Sequence, residues 1–395
     1  MSKKIIVSGV GCCLVDLLYN DIDFESDTIR PLISLKPGDG GLTPGHLVFN
    51  EEFVEFAKSP FESVLSKITG GRPPDKKNIG GPSIVSLIHV AQITDNEQCE
   101  VRFYGHGGND DAGKYLLSSL QKTPVVLQDF NLAENITPST VVLSDPTYDN
   151  NNGERIFINS IGAAWDYKPD ALDDDFFNSD IVVFGGTALV PVIHDHLTEL
   201  LKKAKSKGCI TIVNTVFDFR NENLNPDKKW PLGKSDDSFK YVDLLIADQV
   251  EAFRLSGQNT IEAAIHFFKD KQVSSLIITN GSKNISVYSD GQLFESLSLT
   301  ELPVSQKVIE ELKVNKGGDT TGCGDNFVGG VIASIVNQIQ SGVQRPDIKE
   351  ASYWGIVSGG FACFYMGGTY FEKMSGEKLT KIKPYYEYYN KQIKD

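Results

Sequence analysis

The chain has 395 residues, of which 40% are hydrophobic and 23% charged, a composition typical of a globular protein. Its formal net charge of -14 argues against a nucleic acid or an anionic membrane surface as a partner. Six cysteines without C-x-x-C spacing argue against a disulfide framework or a zinc site, and no apolar run reaches the ~18 residues that cross a bilayer. We therefore expect a cytoplasmic protein with reduced cysteines.

Strand-like apolar runs alternate with amphipathic helical stretches along most of the chain. Strands are predicted at 4–8, 100–104, 181–184, 210–214, 244–247 and 276–279. Helices are predicted at 51–67, 83–93, 111–121, 192–206, 249–256, 260–270, 325–340 and 347–365, with a polar terminal helix from 385. Unbroken β-branched runs between helices predict an α/β fold with a mostly parallel sheet covered on both faces, and ligands at the carboxyl ends of its strands.

Two segments, 16–41 and 138–165, interrupt this alternation. In the second, residues 140–144 and 155–158 alternate like hairpin strands around a polar tip at 150–153. We interpret the two segments as a small β lid over the substrate site. The core would then consist of residues 1–15, 42–137 and 166–395.

Residues 108–114 have the glycine and lysine spacing of a phosphate-binding P-loop, but Tyr115 follows where that motif has Ser or Thr. Asp110 and Asp111 would also place two carboxylates beside the phosphate oxygens. We interpret one of these aspartates as the N-cap of the helix that follows.

A run of small residues at 317–324 leads directly into the predicted apolar helix at 325–340. Gly322 and Gly324 let bare backbone N–H groups converge at the start of this helix, where orphan donors and the helix dipole favour a bound anion. Asp325 lies in the same turn, where a carboxylate is suited to take a proton from a hydroxyl that attacks a phosphoryl group. The alternative is a purely structural helix start capped by an aspartate.

The run from Asp319 to Asp325 resembles the carboxyl-terminal signature of the ribokinase-like (PfkB) carbohydrate kinases, Asp-Thr-x-Gly-Ala-Gly-Asp, with Cys323 in place of Ala. Residues 103–114 resemble the amino-terminal signature of that family, which explains the P-loop spacing as a structural turn. Residues 248–251 occupy the place of its Asn-x-x-Glu motif, with Asp in place of Asn. The resemblance covers roughly residues 4–380 and implies a three-layer αβα ribokinase-like core with a small β-strand lid.

The resemblance also implies ATP and Mg²⁺ as cofactors, with Asp325 as the general base for an attacking hydroxyl. The N–H groups of Gly322, Cys323 and Gly324 would hold charge on the transferred phosphoryl group. The remaining site residues are Asp16, Gly80 and Gly81 for the acceptor, Thr279 and Gly281 for the nucleotide phosphates, Glu251 and Asp248 for Mg²⁺ (directly or through water) and the nucleotide, and Asp319 for a possible monovalent cation. Two alternatives stay open: Asp16 as a turn residue, and Asp248 as the cap of the helix at 249.

The acceptor is ambiguous, because no Asn follows Gly80-Gly81 where the family often uses one to hold a sugar. Residues 35–39 and 90–92 resemble adenosine kinases, whereas 214–220 resemble fructokinase-like sugar kinases. Arg220 is either a contact for an anionic group or a surface residue on a loop. Phe157, Trp165 and Tyr167 are candidates for stacking on a purine, or are packing residues.

We therefore predict an ATP-dependent kinase for a small sugar, as a monomer or homodimer that binds neither nucleic acid nor membrane. A kinase for adenosine or another nucleoside is the first alternative. A catalytically inactive sugar- or nucleotide-binding sensor with the same fold is the second.

Overall fold

The computed structural model describes residues 3–36, 38–151, 153–315 and 317–394. Residue 37 in the adenosine-kinase-like segment 35–39, residue 152 at the tip of the predicted hairpin, and the ends of the predicted core at residues 1, 2 and 395 lie outside the described residues.

The strands of the described residues are, in chain order, Ile5–Gly11 (β1), Leu14–Tyr19 (β2), Leu47–Phe49 (β3), Lys76–Gly80 (β4), Cys99–Gly108 (β5), Phe130–Ala133 (β6), Ser139–Asp145 (β7), Glu154–Ser160 (β8), Ile181–Gly185 (β9), Ile210–Asn214 (β10), Leu244–Asp248 (β11), Ser275–Thr279 (β12), Ile285–Ser289 (β13) and Leu297–Leu302 (β14). They form a nine-stranded sheet in the order β14-β13-β12-β11-β10-β9-β1-β5-β6 and a five-stranded sheet in the order β3-β8-β7-β2-β4.

The helices are Asn50–Ala57 (α1), Phe61–Thr69 (α2), Pro82–Ile93 (α3), Asp111–Leu120 (α4), Tyr148–Asn151 (α5), Asp174–Phe177 (α6), Pro191–Asp195 (α7), Leu197–Ser206 (α8), Phe219–Leu224 (α9), Gln249–Ser256 (α10), Ile261–Asp270 (α11), Gln306–Leu312 (α12), Cys323–Gln340 (α13), Ile348–Ala362 (α14) and Glu377–Gln392 (α15). In the part of the chain that the structure describes, no helix has the length and apolarity that crossing a bilayer requires.

In the large sheet, the neighbouring strands from β12 through to β6 pair in parallel. Strand β13 pairs antiparallel with β12 and with β14. All six predicted strands are confirmed within this sheet. Strands β6, β13 and β14 of this sheet were not predicted. In β14, three of the six residues are exposed and only Leu302 is buried, so the strand carries no apolar run.

Side chains of β9 show that the large sheet is buried on both faces. Ile181 and Val183 belong to one apolar cluster with residues of α3, α13 and α14. Val182 and Phe184 belong to a second cluster, on the other face, with residues of α8 and α11. The predicted three-layer αβα core is therefore confirmed, because a strand alternates its side chains between the faces.

Local chemistry explains where predicted helices begin and break. The predicted helix at 51–67 divides into α1 and α2, since Lys58 has a left-handed φ of 49° and Pro60 immediately precedes α2. Asp110 caps α4 by accepting a hydrogen bond from the N–H of Gly113 at 2.7 Å, as expected for the P-loop-like segment.

The five-stranded sheet contains the predicted hairpin, because β7 and β8 pair antiparallel. It also contains β2, which pairs parallel with β7 and antiparallel with β4. Strands β3 and β4 fall within the range 42–137 that was expected in the core, so the small sheet draws on more of the chain than the two predicted lid segments. These two short strands lie on either side of α1 and α2 in the chain, and neither was predicted from the sequence. The division of the chain into core and lid stays a prediction.

Candidate active site

The small-residue run before α13 forms a tight turn against the chain near residue 368. Gly322 has a φ of +74°, and a Cβ there would lie 2.3 Å from the Cα of Gly368, so only glycine fits. Among the described residues, the N–H groups of Gly322 and Gly324 have no hydrogen-bond acceptor, and the N–H of Cys323 makes only a long bond of 3.4 Å to the Thr320 carbonyl. Gly324 is exposed and faces open space. This leaves a helix N-terminus with donors available to an anion.

Asp325 lies in the first turn of α13 and is half-buried. Loss of solvent raises the pKa of its carboxyl to about 7. Desolvation favours the protonated form of a carboxyl, so this carboxylate is a stronger base than an exposed aspartate. A pKa near the working pH is what a general base requires.

Asp16 lies on β2 and is 7% exposed. Burial raises the pKa of its carboxyl to about 7, and Asp325 and Asp319 contribute to this rise by repulsion. Asp325 and Asp319 therefore both lie close enough to repel the Asp16 carboxylate, so the predicted base and the predicted acceptor residue are neighbours.

The glycine pair at the end of β4 is required by the close approach of Asp16 and of the chain after β1. A Cβ on Gly80 would lie 2.3 Å from Oδ2 of Asp16. Gly81 has a φ of +108°, and a Cβ there would lie 2.5 Å from the carbonyl oxygen of Cys12. Gly80 thus leaves room for the Asp16 carboxylate, and Gly81 leaves room for the backbone after β1.

The predicted nucleotide residues lie at the carboxyl ends of neighbouring strands. Asp248 at the end of β11 is the register partner of Thr279 at the end of β12. Gly281, in the turn that follows, has a φ of +55°, and a Cβ added there would have no atom of the described residues within 4 Å, so its backbone faces open space. Asp248 and Thr279 lie together because β11 and β12 are parallel, so the carboxyl ends of both strands meet at the same edge of the sheet.

Asp248 and Glu251 form a capping box at the start of α10. The N–H of Glu251 donates to Oδ1 of Asp248 at 2.8 Å, and Oε2 of Glu251 accepts from the N–H of Asp248 at 3.3 Å and from the Thr215 hydroxyl. Glu251 is 8% exposed, and burial, followed by repulsion from Asp248, raises its pKa to about 8. The capping alternative for Asp248 is therefore confirmed, and a metal role stays a prediction.

The donor chemistry of this pair fits Mg²⁺. The described residues contain no group of three or more His, Cys, Asp and Glu side chains that could enclose a metal ion. Mg²⁺ usually keeps several waters and is held by one or two carboxylates together with substrate phosphates. Glu251 supplies such a carboxylate, and the charges of Asp248 and Asp325 act on it.

A cavity of about 340 Å³ lies between the small sheet and the turn before α13. Its lining includes Asp16, Asn20, Arg155, Phe157, Asp319 and Thr321. Arg155, on β8, donates hydrogen bonds to the hydroxyl of Thr321 at 3.2 Å and to that of Thr320 at 3.5 Å. A larger cavity of about 470 Å³, beneath residues 33–52, contains none of the predicted site residues.

Residues 75–370 match the pfkB family of carbohydrate kinases. The chain belongs to the PfkB family. The matched range contains the turn at 317–325 and the glycine pair at 80–81, whereas Asp16 lies outside it.

Solved structures of PfkB-like kinases share the fold over nearly the whole chain. A ribokinase from Thermotoga maritima is 17% identical with a TM-score of 0.62, and 97% of this chain and 99% of that one are covered. An adenosine kinase from Sinorhizobium meliloti is 16% identical with a TM-score of 0.68 and the same coverage, 97% and 99%. Arabidopsis thaliana ribokinase, complexed with ribose and ATP, is 16% identical with a TM-score of 0.61, covering 98% and 99%. At these identities the likeness shows the fold alone.

Behind the turn of this PfkB-family chain, Asn326 is held by four hydrogen bonds. Its amide group donates to the carbonyls of Gly322 at 2.8 Å and Gly368 at 2.9 Å, and its Oδ1 accepts from Nζ of Lys378 at 2.9 Å and from the Tyr365 hydroxyl at 3.2 Å. Lys378, on α15, is 1% exposed, and burial lowers its pKa to about 7. Neither Lys378 nor Arg155 was predicted, because both come from elements far from the turn in sequence.

Asp319 ties the turn to the segment after α14. Its Oδ1 accepts from the N–H of Thr321 at 2.8 Å and from that of Gly367 at 3.3 Å. Nζ of Lys76 donates to the neighbouring carbonyl of Met366 at 2.7 Å. A monovalent cation beside Asp319 stays a prediction.

Three predicted aromatic candidates and Arg220 occupy different environments. Only Phe157 lines the cavity. Trp165 is 43% exposed, and Tyr167 is buried against the ring of His106 at a centroid distance of 4.6 Å. Arg220 forms an ion pair with Asp195, which receives hydrogen bonds from both terminal nitrogen atoms of its guanidinium.

Proposed function

We propose that the chain is an ATP-dependent kinase that transfers the γ-phosphate to a hydroxyl of a small sugar. The main support is the combination of Asp325, whose pKa is about 7, with open N–H donors in the same turn. PfkB-family membership supports the reaction class.

In this proposal, Asp16 holds acceptor hydroxyls at the wall of the cavity, and Gly80 and Gly81 leave room for the acceptor beside that carboxylate. Asp325 takes the proton of the attacking hydroxyl, whose oxygen then forms a bond to the γ-phosphorus of ATP. The bond from that phosphorus to the bridging oxygen breaks, and ADP leaves. Glu251 would hold Mg²⁺, which neutralises phosphate charge when bound.

Charge on the transferred phosphoryl group would be stabilised by the N–H groups of Gly322, Cys323 and Gly324. Arg155 would add a cation near the turn, because its guanidinium lies against Thr321. Donors of this kind are preorganised, and removing one typically costs about 10²–10³ in rate.

The lining of the cavity favours a sugar over a nucleoside. Carboxylate and amide groups of Asp16 and Asn20 suit hydroxyls, whereas Phe157 is the sole aromatic side chain among the lining residues, with the guanidinium of Arg155 over its ring. A purine site usually has an apolar or aromatic side chain on both faces of the base. A volume of about 340 Å³ fits a small ligand.

The test measures ADP formation with a panel of monosaccharides and nucleosides. We expect turnover with at least one monosaccharide, and a loss of about 10²–10⁴ in kcat for Asp325→Asn. Asp111→Asn is the matched control, because that carboxylate is exposed on the first turn of α4. It should keep full activity.

Two results would replace the proposal. Turnover with nucleosides alone would make the chain a nucleoside kinase. Ligands that raise the melting temperature without any ADP formation would make it a sensor.

A further inference from the structure

Two thiols face each other at the edge of the phosphate-binding turn. Cys323 is the first residue of α13, and Cys363 directly follows α14. Their Sγ atoms lie 3.1 Å apart, and both are free thiols. A disulfide has an S–S distance of about 2.05 Å, so the two sulfur atoms need to approach by only about 1 Å.

These two cysteines are also the more accessible ones. Cys323 and Cys363 are half-buried, whereas the remaining four cysteines are at most 5% exposed. The contact with Cys323 lowers the pKa of Cys363. Since the thiolate is the reactive form and access is required, oxidation favours this pair.

We propose that Cys323 and Cys363 form a reversible disulfide that displaces the phosphate-binding turn and stops phosphoryl transfer. The bond itself depends only on the two thiols, and its effect on turnover rests on the proposed function.

With a peroxide as oxidant, the Cys363 thiolate attacks one peroxide oxygen, and the O–O bond breaks to give a sulfenic acid and hydroxide. The sulfur of Cys323 then attacks the sulfenic sulfur, forming the S–S bond and releasing the sulfenic oxygen as water. Two thiols are oxidised and one hydrogen peroxide is reduced to two waters. A dithiol reductant restores both thiols by exchange.

The disulfide would act on the site because both cysteines lie in segments that form the turn or bond to it. The N–H of Cys323 is one of the donors of the turn. Cys363 leads into the segment whose Gly367 N–H and Gly368 carbonyl bond to Asp319 and Asn326. The backbone of the turn packs closely against the backbone at Cys363, since a Cβ on Gly318 would lie 2.1 Å from the carbonyl oxygen of Cys363. A misplacement of about 1 Å can cost about 10²-fold in rate.

The experiment treats the full chain with hydrogen peroxide and maps peptides without reduction. We expect a cross-linked pair of peptides containing Cys323 and Cys363, a drop in kcat of about 10-fold or more, and recovery of both thiols and activity with dithiothreitol. Cys363→Ala should keep the untreated activity and resist peroxide. Cys323→Ala, compared with its own untreated sample, should resist as well. Cys209→Ala, which removes a buried thiol, should stay sensitive.

Absence of the cross-linked peptide would overturn the disulfide. A cross-link with unchanged kcat, or equal sensitivity of Cys363→Ala, would overturn its effect on the site. A reduced protein without kinase activity on any acceptor would contradict the proposed function instead, and the peptide map would still decide whether the bond forms.

Discussion

Arg155 on β8 of the small sheet donates a hydrogen bond to Thr321, 3.2 Å away, in the turn that precedes Asp325. The two residues are 166 positions apart in the chain. The small sheet thus contacts the predicted phosphate site through a cation.

Replacing Arg155 by methionine removes the cation and keeps much of the side-chain length. Under the proposed function we expect kcat to fall by about 10²-fold, because a donor to the transferred phosphoryl group is lost. Steady-state kinetics of both substrates measure this. Arg30→Met, which changes an exposed arginine outside the site, should leave kcat unchanged. An equal loss in both variants would show that the effect is not specific to the site.

The pH dependence of turnover should report Asp325. Its pKa is raised to about 7, and the base acts only when ionised, so the rate should rise with pH through about 7 and level off above it. The residual rate of Asp325→Asn should lack this rise. Asp16→Asn should keep it while raising KM for the acceptor, since that residue binds hydroxyls in the proposal. A wild-type rate that does not change between about pH 5 and 9 would contradict the role of Asp325.

Glu251 should make the protein less stable as pH rises. Its folded pKa of about 8 lies above the ordinary value of 4.5, so the folded state binds the proton more tightly and loses stability as pH rises from 4.5 to about 8. We therefore expect Glu251→Gln to melt at a temperature about 2 °C or more above wild type at about pH 8, with a smaller difference at about pH 5.

With Mg²⁺ and an ATP analogue at about pH 8, wild type should instead melt at a higher temperature than Glu251→Gln. The reason is that the cation offsets the buried charge only when the carboxylate is present. Scanning calorimetry with and without Mg²⁺ measures both effects. Equal stabilisation of wild type and Glu251→Gln by Mg²⁺ would remove Glu251 from the metal site.

Gly80→Ala should weaken acceptor binding specifically. Its new Cβ would lie 2.3 Å from Oδ2 of Asp16 and would displace that carboxylate. We expect KM for the acceptor to rise by about 10-fold, with KM for ATP little changed. Gly317→Ala is a matched glycine substitution, since its Cβ would lie no closer than 3.4 Å to Asn315 and its φ is not positive. A rise in KM for ATP alone would contradict the assignment of Gly80 to the acceptor site.

The parts of the site that could be predicted from sequence are those in which neighbouring residues do the chemistry. The turn at 317–325 and the Asp248 cap of α10 each lie within a few consecutive positions, so local spacing predicts them. Arg155 and Lys378 could not be predicted in this way. Each reaches the turn from a distant element, and a strand or helix pattern specifies a buried face without specifying its partner.

The same limit applies to the fold. The six predicted core strands are rich in buried apolar residues and were found, whereas β14 has a single buried residue and β3 is only three residues long. The division of 51–67 into two helices depends on one backbone position, Lys58, with a left-handed φ, which amphipathic periodicity does not report. The spacing of apolar residues predicts which face of a helix or strand is buried. The ends of that helix or strand depend on single residues, which the spacing does not identify.

The contact between Arg155 and Thr321 has a kinetic consequence under the proposed function. If the small sheet has to move away from the turn to release the phosphorylated product, this contact breaks in each catalytic cycle. The lifetime of the contact then limits the number of cycles per second, however fast the bond-making step is.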